Sequence, residues 1–372
     1  AYLLRNGIDP AAIDPRTIKI FSGGSAALPK DRNTPVSDTM VQSALWVSGQ
    51  EDGRFDPGDF IVFFGQSLAG WGKNAGLITP QFFNPYTDTN CYWLTWGGES
   101  GRRMAVRNCQ PGPEPLVPLG SFTDTLHFEQ EVFNPFNSGE FFYWANLRRS
   151  VSESVRRFSF PIYIPDPASP QATVRLTVHA GINSKHRLRW GLNGSADREL
   201  TWTGGPVAGG ADLLVNYELT DSLAAGNLLA GANSLTIDLL KENADSIDAV
   251  YLNWAEVIYP RQYRADRGRL RFRMDPTYQE ICRIQVSGFG TDSCLILDIS
   301  RPDQPVLVAT TQVYPAYLRF DDRWKSGNCY YAAASGSWLK PVKIEAYAPA
   351  RLRQEYSDRK STRLNSSHGK LS

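Results

Sequence analysis

Four carboxylates crowd one short stretch, Glu51-Asp-Gly-Arg-Phe-Asp-Pro-Gly-Asp-Phe60, and oxygen-rich clusters of this kind can bind calcium. Asp52, Asp56 and Asp59, with Glu51 beside them, are the candidate calcium ligands. The twelve-residue loop spacing with its closing glutamate is absent, and Asp52-Gly53 and Pro57-Gly58 are turn dipeptides. A polar turn is therefore the favoured reading, with calcium as the alternative. No cofactor is required by any other motif.

Nucleophilic chemistry has weaker support. Five cysteines, Cys91, Cys109, Cys282, Cys294 and Cys329, are scattered without the paired spacing of a zinc site. Cys282 and Cys294 lie on neighbouring apolar runs, so a hairpin disulfide and buried free thiols both stay open. Of the histidines, His127, His179 and His186 sit in or beside strand patterns. None has a matching cysteine on a small-residue turn, as a Cys–His dyad would need. No Gly-x-Ser-x-Gly elbow is present. Carboxylate pairs for glycoside hydrolysis are not singled out. Trp190, Trp202 and Trp254 could form a sugar-stacking platform, but Trp254 lies in a run that is apolar on both faces, where core packing is its expected role. Arg269, Arg271 and Arg273 alternate along one face of a strand whose other face carries Leu270, Phe272 and Met274. A solvated face is the favoured reading there, an anion site the alternative.

The elements that must position these residues are almost all strands. Aromatics make up 12% of the chain, Gly 31 and Pro 24 residues, with only 3 Met, a balance typical of an all-β, turn-dense protein. Residues 2–13 suggest a short helix, and 1–109 otherwise reads as an N-terminal β-rich domain. Gln110–Gly120, rich in proline, reads as a linker. Residues 121–262 alternate strictly in several runs. Phe158, Phe160, Ile162 and Ile164 share one face, as do Val174, Leu176 and Val178. Asn193-Gly194 marks a hairpin, and the run Asp248–Pro260 is apolar on both faces, as a central strand would be. These features predict a jelly-roll-like β-sandwich. Residues 263–350 read as a third β-rich domain, and 351–357 as the start of whatever follows. No βαβ alternation appears, so no parallel-sheet α/β domain is expected in this stretch. No apolar run is long enough to span a membrane.

The segment from Asp358 to His368, Asp-Arg-Lys-Ser-Thr-Arg-Leu-Asn-Ser-Ser-His, back-translates with one choice of codons into a common sequencing adapter. The expectation is that 358–372 is a disordered, adapter-derived tail and that the natural protein continues past Ser357. The absence of an initiator Met before Ala1 suggests a cut at the other end too. The whole chain counts 39 basic and 38 acidic residues, net +1. Setting aside Arg359, Lys360, Arg363, Lys370 and Asp358 leaves 35 and 37, net −2. Neither balance calls for a nucleic-acid partner.

Several stretches, in this order, carry a resemblance. They are Ile13–Phe21 (IDPRTIKIF), Glu51–Gln66 (EDGRFDPGDFIVFFGQ), Asn84–Met104 (NPYTDTNCYWLTWGGESGRRM), Tyr251–Arg261 (YLNWAEVIYPR) and Val286–Val308 (VSGFGTDSCLILDISRPDQPVLV). Together they resemble the region preceding the catalytic domain of gingipain-type cysteine peptidases, above all the large members related to the sortase of the type IX secretion system. The resemblance implies a caspase-like α/β domain carrying catalytic Cys and His, beginning after a segment like Val342–Gln354. No residue of this chain matches that catalytic motif, so none is carried over. It further implies a location outside the cell or at the outer-membrane surface of Bacteroidetes-type bacteria. The expected partners are the chain's own missing catalytic domain and secretion-system proteins. Two other readings stand beside it: a carbohydrate-binding or adhesive surface module, and a structural secretion component without peptidase activity.

Overall fold

The computed structural model describes residues 2–29, 31, 33–37, 39–73, 81–135, 137, 141–195, 198–205, 218–242, 247–274, 280–290, 293–313, 317–323 and 327–347. The expected adapter-derived tail and the segment 351–357 lie outside them. Residues 1–8 and 339–372 form one unit, and 9–338 another. The first holds a single helical turn, α1 (Tyr2–Arg5), closed by the Asn6 N–H on the Tyr2 carbonyl. The predicted helix over 2–13 is thus shorter: Gly7 takes a positive φ of 72°, and Pro10 opens a separate 3-10 turn capped by Asp9. All that follows concerns residues 9–338.

The N-terminal segment contributes six short strands: β1 (Lys19–Ser22), β2 (Val41–Ser43), β3 (Trp46–Ser48), β4 (Phe60–Val62), β5 (Tyr92–Thr95) and β6 (Val106–Asn108). β1 lies between β2 and β5, and β3 pairs with β4 across the acidic loop.

Nine longer strands follow: β7 (Ser121–Glu129), β8 (Ala145–Arg149), β9 (Val155–Ile164), β10 (Ala172–Ala180), β11 (Ser184–Leu192), β12 (Arg198–Gly204), β13 (Glu218–Ala225), β14 (Gly231–Leu240) and β15 (Asp248–Gln262). They form two sheets, ordered β13-β10-β15-β7 and β12-β11-β14-β9, with β8 also paired to β15. From β8 onward, successive strands change sheet except at the β11–β12 hairpin, and all pair antiparallel; this is the jelly-roll path, with β7 added beside β15. The alternation read from sequence is why. Val174, Leu176, Val178, Leu188, Trp190, Leu235, Ile237 and Val257 all point between the sheets and are buried. The β11–β12 hairpin turns on Asn193 (φ 52°) and Gly194 (φ 82°), the left-handed pair a tight turn demands.

The last seven strands are β16 (Arg269–Arg273), β17 (Ile281–Ser287), β18 (Cys294–Asp298), β19 (Val306–Ala309), β20 (Thr311–Val313), β21 (Tyr317–Arg323) and β22 (Cys329–Ala334). They make the sheets β16-β22-β18-β19-β6 and β17-β21-β20 around a second core that includes Phe272, Ile284, Phe320 and Tyr330. The whole is all-β. The sheet β16-β22-β18-β19 is completed by β6, from far earlier in the chain, which runs parallel to β19. Arg107 of β6 anchors the join, donating to Asp298 at 2.9 Å and to Asp322. Ala44 and Met104 likewise pack with Leu297, Ile299 and Cys329. The N-terminal and third stretches therefore share hydrogen bonds and a core although the sandwich separates them in sequence. The Pro-rich 110–120 segment, expected as a linker, is strapped to the third region. Arg283 donates to the Gly112 and Leu116 oxygens at 3.1 and 3.3 Å, and the Gly112 and Leu119 N–H groups donate to the Asp321 carboxylate and the Arg283 carbonyl at 3.0 Å.

Candidate functional site

The acidic loop does not gather its carboxylates. Asp52 accepts the Arg54 N–H at 3.0 Å, and Asp59 accepts the Asp56 N–H at 2.8 Å, each carboxylate serving its own turn. Arg16 presents its guanidinium to Gly53, and its own value is raised, chiefly by Asp14 and to a smaller extent by Asp52, so a cation already sits beside the loop. Among the described residues, no three His, Cys, Asp or Glu side chains converge as a metal site would require.

The thiols are equally dispersed. All five cysteines are free, Cys91 exposed and the others buried. Cys109, Cys282 and Cys294 belong to the third-region core and Cys329 to the cluster beside it, whereas His127, His179 and His186 all lie on sandwich strands. Burial pushes up the thiols of Cys109 and Cys282, and that of Cys294 to about 11, the opposite of an activated nucleophile. His179 lies by the Tyr143 and Tyr251 rings. His186 is fully buried, with Nδ1 2.7 Å from Asp248 Oδ1 and Nε2 within 3.0 Å of the Ile182 and Gly204 carbonyls. Both ring nitrogens face acceptors, an arrangement that suits the doubly donating imidazolium. Burial opposes that charge, but the Asp248 carboxylate and the two carbonyls outweigh it and hold the pKa above the usual histidine value.

The densest constellation lies on the outer face of the β13-β10-β15-β7 sheet. His127 and Glu129, two apart on β7, share that face with Trp254 and Glu256 on β15, paired to them in register. His127 Nε2 is 2.8 Å from Glu129 Oε2, and Nδ1 is 3.4 Å from Glu256 Oε1. Trp71 reaches over from the N-terminal segment and donates its indole N–H to the same Glu256 oxygen, and Arg175 on β10 lies 3.5 Å from Oε2. Phe82 stacks on the imidazole at 3.8 Å and 15°. Burial works against charge on His127, yet Glu129 and Glu256 raise its pKa overall. Burial likewise acts against the Glu256 carboxylate, but His127 and Trp71 hold it below the usual range. Glu131 keeps much of its residue surface exposed, but burial of its carboxyl and the adjoining Glu129 push it up to about 8. His127 is only 3% exposed, and no nucleophile lies beside it among the described residues, so the arrangement is one of packing and charge pairing. It clasps Trp71 and Phe82 onto the sandwich.

Two signals in the sequence bear on this site: the charge at Glu256 inside an otherwise apolar run, and the His-x-Glu alternation at 127 and 129. Neither tells which loop covers the face. The sandwich tryptophans are spoken for. Trp190 is fully buried, Trp202 stacks on His186 at 4.8 Å, and Trp254 lies 5.3 Å from Trp71, so they form no open platform.

No protein-family model matches the sequence, and no curated protein matches it. Solved structures do. Dimeric latent PorU from Porphyromonas gingivalis superposes with a TM-score of 0.62 at 19% identity, over 90% of this chain and 30% of that one. The chain shares its fold with part of PorU. It spans under a third of that protein's length. The CBM36-1 domain of a multidomain xylanase from the hindgut metagenome of Trinervitermes trinervoides matches 36% of this chain at 13% identity and a TM-score of 0.25. A carbohydrate-binding module CBM36 in complex with calcium and xylotriose matches 36% at 10% identity and a TM-score of 0.22. Both scores are too low to bear on function.

Proposed function

We propose that this chain is the non-catalytic β-rich scaffold of a gingipain-like cysteine peptidase associated with secretion, at the outer-membrane surface or outside the cell. The observation that carries this reading is the likeness in fold to PorU over 90% of the chain. It is supported by the order of the resembling motifs, and by the four buried cysteines lying in the clusters of the third region while His127, His179 and His186 lie on sandwich strands. The scaffold's role is to position and shield a Cys/His α/β domain in the longer protein, whose work is proteolysis or sortase-like processing of exported proteins. Partners are that domain and secretion-system proteins.

Two measurements test the reading. The purified chain is assayed against peptide and transpeptidation substrates with and without a thiol reductant; the expected result is no turnover, and robust thiol-dependent turnover overturns it. The source DNA beyond the codon for Ser357 is then recovered. A following Cys/His α/β domain is expected, and its absence favours the structural secretion component instead.

A further inference from the structure

A groove of about 630 Å³ runs between the sandwich and the third region, and it owes nothing to the site described above. One wall is β7, lined by consecutive residues from Phe122 to Leu126; the other is β16, lined by consecutive residues from Arg269 to Arg273. A strand that shows a face to a groove contributes every second residue. One that contributes all of them in succession shows its edge. Both are indeed terminal strands among the described residues: β7 ends the order β13-β10-β15-β7, and β16 ends β16-β22-β18-β19-β6. On β16 the Arg269 N–H and C=O are already taken by Asp266 at 3.0 Å, which leaves the backbone groups of Arg271 and Arg273 to a strand added on the groove side.

The charge is one-sided. Arg261, Arg267, Arg269, Arg271 and Arg273 line the groove against the carboxylates of Asp124 and Asp266. Asp124 is taken by Arg261 at 2.9 Å, and Asp266 lies 3.9 Å from Arg267. Arg269, Arg271 and Arg273 have no ion pair among the described residues. Lys73 adds to the field: burial, and after it the charge of Arg271, keep its ammonium below the usual lysine value. Alternate residues of a strand are about 6.6–6.8 Å apart, so Arg271 and Arg273 match side chains at positions i and i+2 of an extended chain paired beside β16. The alternation that reads in sequence as a solvated face becomes the wall of a groove.

We propose that this groove binds an extended acidic peptide segment, which adds as a strand to the β16 edge at Arg271 and Arg273 and sets alternate Asp or Glu side chains against those two arginines, with Arg269 reinforcing the charge at the end closed by Asp266. Strand addition supplies affinity through the backbone, and guanidinium–carboxylate pairs supply selectivity.

The test is fluorescence anisotropy on the full chain with a labelled peptide alternating Glu with Val. It is run against the same peptide with Gln for Glu, a version N-methylated at alternate residues, an oligothymidylate of equal charge, and anionic phospholipid vesicles. Saturable binding of the Glu peptide is expected, weakened at least tenfold by Gln, by N-methylation and by the Arg271→Glu/Arg273→Glu variant. Arg54→Glu, on a remote exposed loop, is expected to leave it unchanged. Because Arg271 and Arg273 are exposed, the variant keeps its fold, which far-UV circular dichroism verifies; the single Arg271→Gln, expected to weaken binding severalfold, provides a second reading. The proposal is overturned by an absence of saturable binding at millimolar peptide, or by equal binding of the N-methylated peptide. Tighter binding of the oligonucleotide or the vesicles, or indifference to the charge reversal, overturns it too.

Discussion

His186 and Asp248 allow a sharp test of the electrostatics, through Asp248→Asn. In the native protein the imidazolium donates Nδ1–H to Asp248 and Nε2–H to the Ile182 and Gly204 carbonyls, in a fully buried setting. Removing the charge of one member of a buried pair costs roughly 3–5 kcal/mol, and about 3 is expected here because asparagine keeps the shape. That cost depends on pH. A neutral imidazole keeps Nε2–H on the carbonyls and can accept from the asparagine amide at Nδ1, so the variant repairs itself once the ring is deprotonated. The folded-state pKa of His186 is raised. Its stabilisation is therefore complete below the unfolded histidine value near 6.5 and is lost as pH rises through the higher folded value. In Asp248→Asn, burial without the carboxylate disfavours the imidazolium, and stability falls as pH drops instead. Urea unfolding from pH 5.5 to 9, followed by tryptophan fluorescence, should show a gap of about 3 kcal/mol at the acid end that shrinks to about 1 kcal/mol or less at the alkaline end. The His186 ring resonance should titrate above 6.5 in the wild type and below it in the variant. A gap that is constant with pH, or a variant as stable as wild type at pH 6, refutes the doubly donating imidazolium.

Two other substitutions probe the fold. Glu256→Gln leaves the Trp71 indole and His127 facing a neutral amide and should cost about 2–4 kcal/mol near neutral pH. Because Glu256 is held below the usual carboxylate range, this cost should fade as pH drops through its folded value, and limited proteolysis should show the 66–73 stretch cut faster in the variant at pH 7, by a margin that narrows as pH falls. Gly205→Ala should cost about 3 kcal/mol or more by urea unfolding. Gly205 sits at φ 145°, and a Cβ there would lie 1.9 Å from the Ile182 oxygen, the carbonyl that serves His186.

Much of the sandwich is legible in the alternation. Val174, Leu176 and Val178 face the core as their spacing requires, and Asn193-Gly194 turns where it should. The both-faces-apolar character of β15 is also real, because the N-terminal segment covers its outer face with Trp71. The candidate calcium set is less legible. Carboxylates close in sequence converge only if the turn aims them together, and here Gly53 and Gly58 at positive φ turn Asp52 and Asp59 to different backbone donors. The helix that apolar spacing predicts over 2–13 ends at Arg5, because that spacing does not register that Gly7 and Pro10 stop the backbone.

Composition and alternation by themselves determine that this chain is all-β, which residues face inward, and where the tight hairpin falls. The reason is that strand pleat and turn conformation are local properties of a few residues. Only the tertiary structure decides which faces and edges meet. Trp71 finds Glu256 185 residues on, Arg107 finds Asp322 215 residues on, and β6 slots beside β19 across the whole sandwich. Pairing at such distances is set by strand order and register, and an alternating pattern names the face of a side chain without naming what will oppose it.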